Sequence, residues 1–372
     1  MGKKVDYFLA LIIGILILLG IVVLVSVSFP ISQEKFGSPT FYLFRHLLVG
    51  LAPGILLGFL AFRVSLSFLK KWTPIFLLAN LFLMILVFVP KIGFTLGGAS
   101  RWINLGIVSF QPSEFLKLTF ILYLAAWLSA RTENPLFAHR KKMIAASATT
   151  TAFFVILGII GLLLTLQPDI STLAVIVISA TFMYFSAGYP LKYVFMIVLV
   201  ELGALIVLIK TASYRFERLL VFLKPELDPM GLSYQIKQAL MTIGSGGLLG
   251  VGLGMSTQKF FLPQPMADSI FAVFAQETGF LGSLILIVLF LLFAWRSYAI
   301  AKKTQNKFYK LTVVGISSWI TLQAFVNIGA MVGILPLTGI PLPFVSYGGT
   351  ALVTELTAAG ILLNISKNTK NI

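Results

Sequence analysis

The sequence predicts an all-α integral membrane protein, with about ten transmembrane helices and a large extracytoplasmic loop between helices 7 and 8. Three observations carry that prediction. Of 372 residues 58% are hydrophobic and 11% charged, and mean hydropathy is +1.00; a soluble domain carries ~25% charged residues. The apolar residues fall in long unbroken runs near the ~20 residues that cross a bilayer as a helix, not in the short alternating segments of a barrel. The basic residues, which give a formal charge of +16, sort between alternate connections. Together these exclude a soluble globular enzyme and a disordered chain.

Ten spans follow in order: 7–28, 41–62, 73–89, 113–130, 143–165, 170–187, 190–210, 269–295, 311–334 and 345–364. The first follows two lysines and is longer than a signal-peptide core, with no small-residue cleavage site after it, so it reads as an uncleaved helix. The second is the weakest, because Arg45, His46 and Pro53 fall inside it. Two connections are long, 90–112 and 210–268. The latter contains helix-like stretches at Tyr214–Leu223 and Tyr234–Ile243. With no internal repeat and no composition break, residues 1–372 read as a single polytopic domain, its large loop at about 211–268.

With a cytoplasmic N-terminus, one side receives 17 basic residues and the other 10, six of them in the long 210–268 segment. Short loops set orientation, so both termini are expected in the cytoplasm, and most of the positive charge is a topology signal. Nucleic-acid binding needs a basic groove with exposed aromatics, and no segment has that character. Zero Cys, and two histidines in separate segments, exclude disulfides, thiolate sites and His-based triads or metal centres.

Five stretches carry polar groups where they are costly. The first runs from Arg101-Trp102 to Gln111-Pro112-Ser113-Glu114 and on to Lys117. Pro112 and Ser113 read as a helix start, which puts Glu114 and Lys117 on one face. They are a structural ion pair or a functional one, since intramembrane charges are usually functional. Arg101 is an interfacial anchor or a phosphate ligand. In the second, Gln167-Pro168-Asp169, the aspartate is placed to cap the sixth span. The third joins the basic turn Arg215–Arg218 to the glycine run 243–254, which reads as close backbone packing rather than a phosphate nest. The fourth, 258–280, carries Lys259, Asp268 and Glu277. Asp268 is an N-cap or a general base in a half-dry pocket. Glu277 is nine residues on and out of phase with it. The fifth, 335–349, has three prolines and no charge, which suits a tightly packed or re-entrant element. Glu201 and Glu355 add two further intramembrane carboxylates.

The motifs RWI…FQPSEFLK at 101–117, QPD at 167–169, IGSGGLLGVGLG at 243–254, QKFFLP at 258–263, DSIFAVFAQETGF at 268–280 and LPLTGIPLPFVSYGG at 335–349 resemble the SEDS family (shape, elongation, division and sporulation). The resemblance covers nearly the whole chain, and the 214–240 stretch looks closest to its FtsW/SpoVE branch. It implies a peptidoglycan glycosyltransferase that polymerises lipid II at the outer face of the cytoplasmic membrane, in cell division. The implied partners are a class B penicillin-binding protein and other divisome membrane proteins. It places the family's essential aspartate on Asp268 and its helix-4 glutamate–lysine pair on Glu114 and Lys117. Arg101, Arg215, Arg218, Lys259 and Ser346 join the substrate-binding set. Three positions depart from the usual pattern: Gln264 and Gln276 stand where a glutamate is usual, and Ser269 where a phenylalanine is. No metal-ligand cluster is visible, so no cofactor is expected beyond an assisting divalent cation, Mg or Mn. The rival readings are a flippase for lipid-linked precursors, which would need polar lining on both membrane faces, and a scaffold, which leaves the clustering of Asp268 with basic loop residues unexplained.

Overall fold

The computed structural model describes residues 5–96, 99–104, 106, 109–133, 142–224 and 231–369. Lys3, Lys4, Arg140, Lys141 and Lys370, five of the 17 basic residues counted on the cytoplasmic side, lie outside them.

The helices are α1 (Tyr7–Phe36), α2 (Phe41–His46), α3 (Ala52–Arg63), α4 (Leu66–Leu86), α5 (Pro112–Glu133), α6 (Lys142–Leu166), α7 (Ile170–Ser186), α8 (Leu191–Lys210), α9 (Ser213–Leu223), α10 (Leu232–Ser245), α11 (Ile270–Lys303), α12 (Lys307–Met331) and α13 (Gly349–Ser366). Among the described residues nine segments are long and apolar enough to cross a membrane, with α2 and α3 counted as one, and the 17-residue α7 is apolar as well. The chain is a multi-pass membrane protein. Helices α5, α12 and α13 form the interior, while α8 faces outward along most of its length.

The weak second span is broken. Between α2 and α3 lies one π-helical turn, Leu47–Leu51, and Pro53 opens α3, where its missing N–H is tolerated. Close approach of α3 to α13 then rests on glycine: a Cβ on Gly360 would lie 2.1 Å from the Gly58 carbonyl oxygen, a backbone contact only small residues allow between membrane helices.

The 90–112 connection is not plain loop. It holds a three-stranded antiparallel sheet of β1 (Gly93–Leu96), β2 (Ala99–Asn104) and β3 (Ser109–Phe110), in that order, with Gly93 opposite Ile103 and Ile103 opposite Phe110. The short apolar–polar alternation there is overshadowed by the long helical runs around it. In the 210–268 segment α9 and α10 occupy the two stretches that read as helical. Side-chain and backbone bonds join this sheet, the 210–268 segment and the 335–349 segment to one end of the bundle.

Candidate active site

Asp268 sits at that end, one residue before the N-cap of α11. The N-cap position itself belongs to Ser269, whose side chain makes no capping bond, so Asp268 does not hold the N-cap position. Ser269 Oγ instead donates to the Pro263 carbonyl at 2.8 Å and accepts from Gln235 Nε2 of α10 at 3.3 Å.

The strip 266–268 is laced to the 339–347 segment. Tyr347 N–H donates to the Met266 carbonyl (2.8 Å), and Ser346 Oγ donates to the Ala267 carbonyl (2.6 Å) while accepting from Leu342 N–H (2.8 Å). Asn327 Nδ2 donates to both the Asp268 and Ile340 carbonyls, each at 2.8 Å. Gly339 lies beside the carboxylate: a Cβ there would stand in ordinary van der Waals contact, 3.9 Å from Asp268 Oδ2. Asp268 Oδ1 is buried without a hydrogen-bond partner among the described residues. Burial pushes the Asp268 carboxyl above the ordinary aspartate range; its own and the Ser269 amides, the Gln235 side chain and the Arg218 guanidinium oppose that rise.

Glu114 and Lys117 lie in the first turns of α5 and pair at 2.8 Å, being 4% and 1% exposed. Lys117 Nζ also donates to Gln323 Oε1 (2.8 Å) and lies 5.1 Å from the centre of the Trp319 ring. Trp319 Nε1–H donates to the same Gln323 oxygen (2.8 Å), and Gln323 Nε2 reaches the Pro341 carbonyl (3.0 Å). The pair is thus enclosed in protein rather than open to solvent. A lysine this deep requires a partner charge and further acceptors, and it has both.

The four other cations differ. Arg101 donates to the Gln167 carbonyl at 3.1 Å and to that of Pro168, fastening β2 to the 167–168 turn. Lys259 is buried and donates to the carbonyls of Ser26 (3.1 Å) and Gly254 (3.0 Å). Arg215 Nη1 reaches the Leu208 carbonyl at 2.9 Å. Arg218 Nη1 lies 3.5 Å from the Leu337 carbonyl oxygen, and its charge acts on Asp268. Of the four, Arg218 is the one the fold brings to the aspartate.

Asp169 does occupy the N-cap position of α7, but its carboxylate makes no capping bond and accepts from Ser113 Oγ at 3.0 Å. Glu355 Oε2 accepts the Phe344 N–H at 2.7 Å. Phe344 has φ 63, a left-handed conformation uncommon for a non-glycine residue. Glu201 Oε1 accepts from Thr181 Oγ1 at 2.6 Å.

The glycine run is a close-packed strap. Helix α11 is interrupted at Gly279 (φ 69, ψ −167), which strands amides and carbonyls nearby. The strap satisfies them. Val251 and Gly252 N–H donate to the Gln276 and Glu277 carbonyls (3.0 and 3.1 Å), and Phe280 and Leu281 N–H donate to the Gly247 and Leu248 carbonyls (2.9 and 3.2 Å). This junction lies about 14 Å along α11 at 1.5 Å per residue. There irregular backbone is tolerated only when protein supplies its partners.

Among the described residues no three His, Cys, Asp or Glu side chains converge. A divalent cation at this end could rest on the Asp268 carboxylate.

The pattern described as "Cell cycle protein" (FtsW/RodA/SpoVE) matches residues 7–371. The chain belongs to the FtsW/RodA/SpoVE family. It is 36% identical to stage V sporulation protein E of Bacillus subtilis (strain 168) over 363 residues, 97% of each chain. It is 37% identical to a Coxiella burnetii protein named "Probable peptidoglycan glycosyltransferase FtsW", over 96% of this chain and 94% of that one. Its fold matches a chain of a solved peptidoglycan synthase complex, studied for the coordination of polymerization and crosslinking, with TM-score 0.76, 28% identity and 98% of both chains covered. It also matches the rod shape determining protein RodA of Thermus thermophilus, with TM-score 0.68, 27% identity and 99% of both chains covered.

Within this family fold, sequence reasoning missed Gln323, Asn327 and the Ser113–Asp169 and Glu355–Phe344 contacts. Gln323 and Asn327 could have been found: two amides one turn apart in an apolar span are costly unless bonded.

Proposed function

We propose that this chain is a peptidoglycan glycosyltransferase that polymerises lipid II into glycan strands, with Asp268 as general base. The supporting observation is the setting of Asp268: a carboxylate at one end of a membrane bundle, with one buried oxygen lacking a partner among the described residues and a guanidinium acting on it. Proteins similar to this chain over almost their full length are named probable peptidoglycan glycosyltransferases.

The GlcNAc 4-hydroxyl of one lipid II gives its proton to Asp268 as its oxygen attacks the anomeric carbon of the donor, whether lipid II or a growing strand. The α-bond from that carbon to the pyrophosphate oxygen breaks on the opposite face, a β-1,4 bond forms with inversion, and undecaprenyl pyrophosphate departs. Charge grows on the pyrophosphate as it leaves, so a fixed cation there lowers the barrier. Arg218 is assigned that task, with Arg215 on the same helix. The buried bonds of Glu114, Lys117, Lys259, Arg101 and Ser346 suit them to holding the walls of the substrate site. A divalent cation, if used, would be carried largely by the pyrophosphate oxygens, with Asp268 as a protein ligand to it.

The loop charges favour cytoplasmic termini, which puts this end at the outer face of the cytoplasmic membrane. The likeness to a synthase-complex chain favours a class B penicillin-binding protein as partner, within a set of divisome membrane proteins.

Asp268→Asn keeps shape and removes the base. Purified and folded, it should lose polymerisation of lipid II by at least about a hundredfold, the range general acid–base groups supply. Normal polymer yield would sink the assignment. A vesicle assay for lipid flipping, run beside it, separates the flippase reading: transport without polymer by the wild-type chain would favour that alternative.

A further inference from the structure

We propose that Asn327 is a positioning residue for Asp268, and that Gln323, one turn away on α12, extends the same brace to the Glu114–Lys117 pair. The inference rests on the catalytic reading of Asp268 above and goes beyond it. Residues 319, 323 and 327 recur every four positions, so Trp319, Gln323 and Asn327 share one face of α12. That face meets the 339–347 segment on one side and the start of α5 on another.

The amide of Asn327 has a fixed orientation, because two carbonyl oxygens, of Asp268 and of Ile340, lie 2.8 Å from the same atom. Only a nitrogen with two hydrogens satisfies both. The fork joins the backbone of Asp268 to the segment that passes over its carboxylate at Gly339. Its own oxygen is buried with no partner among the described residues. An apolar residue of similar shape would avoid that penalty, so packing alone does not explain an asparagine here. The two donated bonds do, and both end on backbone whose placement sets where the carboxylate points.

Gln323 completes the brace. Its oxygen accepts from Lys117 and Trp319 and its nitrogen reaches Pro341, the residue after Ile340. An unbroken polar path therefore runs from Glu114 through Lys117, Gln323, Pro341–Ile340 and Asn327 to Asp268. On this path Lys117 acts through neighbours and never touches substrate. Positioning to within an ångström governs the rate of the chemical step far more than ground-state binding.

The test uses the full chain in lipid nanodiscs, with lipid II polymerisation followed at varied concentration and folding followed by thermal unfolding. Asn327→Ala should lower kcat ten- to a hundredfold while KM for lipid II stays within twofold. Asn327→Ser, which keeps one donor, should fall between Asn327→Ala and wild type; it carries the same reading if the alanine variant fails to fold. Ile328→Ala, a buried apolar neighbour, controls for loosening of α12 and should leave kcat within twofold despite a lowered Tm. Unchanged kcat in folded Asn327→Ala and Asn327→Ser would overturn the proposal, and so would an equal fall in Ile328→Ala. Asp268→Asn is measured in parallel: if it polymerises normally, the catalytic reading itself fails. If it is dead while the Asn327 variants are normal, only the positioning role fails.

Discussion

Two irregular segments are packed into this bundle, and the balance of side-chain and backbone bonds that holds them differs. The 339–347 segment is tied through side chains: Ser346, Asn327, Gln323 and Glu355 each reach its backbone or bond it to a neighbour. The 246–254 strap is tied through its own amides and carbonyls to those freed at the α11 break. A side-chain tie can be tuned one residue at a time. A backbone tie brings the chains into contact, and where they approach most closely, at Gly250 and Gly279, only glycine fits. The first arrangement suits a wall that must hold a carboxylate at a chosen angle. The second suits a seam that must leave no polar group unpaired within a membrane.

The strap gives the larger effect. A Cβ on Gly250 would lie 2.2 Å from the Glu277 carbonyl oxygen, and φ is +82. Gly247 is also left-handed, at φ +57, but has open space around its Cβ position. Gly250→Ala should therefore cost about 3–5 kcal/mol, the range of severe backbone clashes in a packed interior, and show as a collapse in folded yield. Gly247→Ala should cost about 1–2 kcal/mol, the left-handed penalty alone. Equal Tm losses in the two variants would mean that the seam is looser than its bonds imply.

The wall should respond more mildly. Ser346→Ala removes the acceptor for the buried Leu342 N–H and the donor to the half-buried Ala267 carbonyl. Roughly 1–3 kcal/mol follows if one of them stays unpaired, together with a fall in polymerisation at unchanged KM. A thermal shift with no change in turnover would make Ser346 a packing residue only.

The contrast also explains what could be read in advance. The ten spans, the two helices of the long loop and the packing role of the glycine run were legible, because hydropathy and glycine carry local signals. The sheet at 93–110 was not, since a four- to six-residue strand is faint beside 20-residue runs. Asp268 was legible as a polar group at a span boundary, but the choice between cap and base was not. That choice turns on Ser269 taking the cap position and on Asn327, 59 residues away, holding the Asp268 backbone. Lys259 and Arg101 read as phosphate-side cations from charge alone. Their carbonyl partners at Ser26 and Gln167 come from other helices and leave no mark in the local sequence.

The smallest effect tests the wall from within. Burial raises the Asp268 carboxyl in the folded protein above its ordinary value of 3.8. Below about pH 3.8 the group is neutral both folded and unfolded, and folding keeps the full advantage of the raised pKa. As pH rises through that value toward the native pKa, the unfolded chain releases its proton first and the advantage is lost. Once ionised, the carboxylate is thus a liability to the fold, one that a base must carry to be useful. The amide introduced by Asp268→Asn is neutral at every pH and does not carry it. Thermal unfolding of Asp268→Asn against wild type should therefore show matching Tm in acid, with the variant pulling ahead as pH rises and then holding a constant lead. A variant less stable than wild type at neutral pH would mean that Arg218 and the surrounding amides outweigh burial. The carboxylate would then be a structural anion and a poor general base.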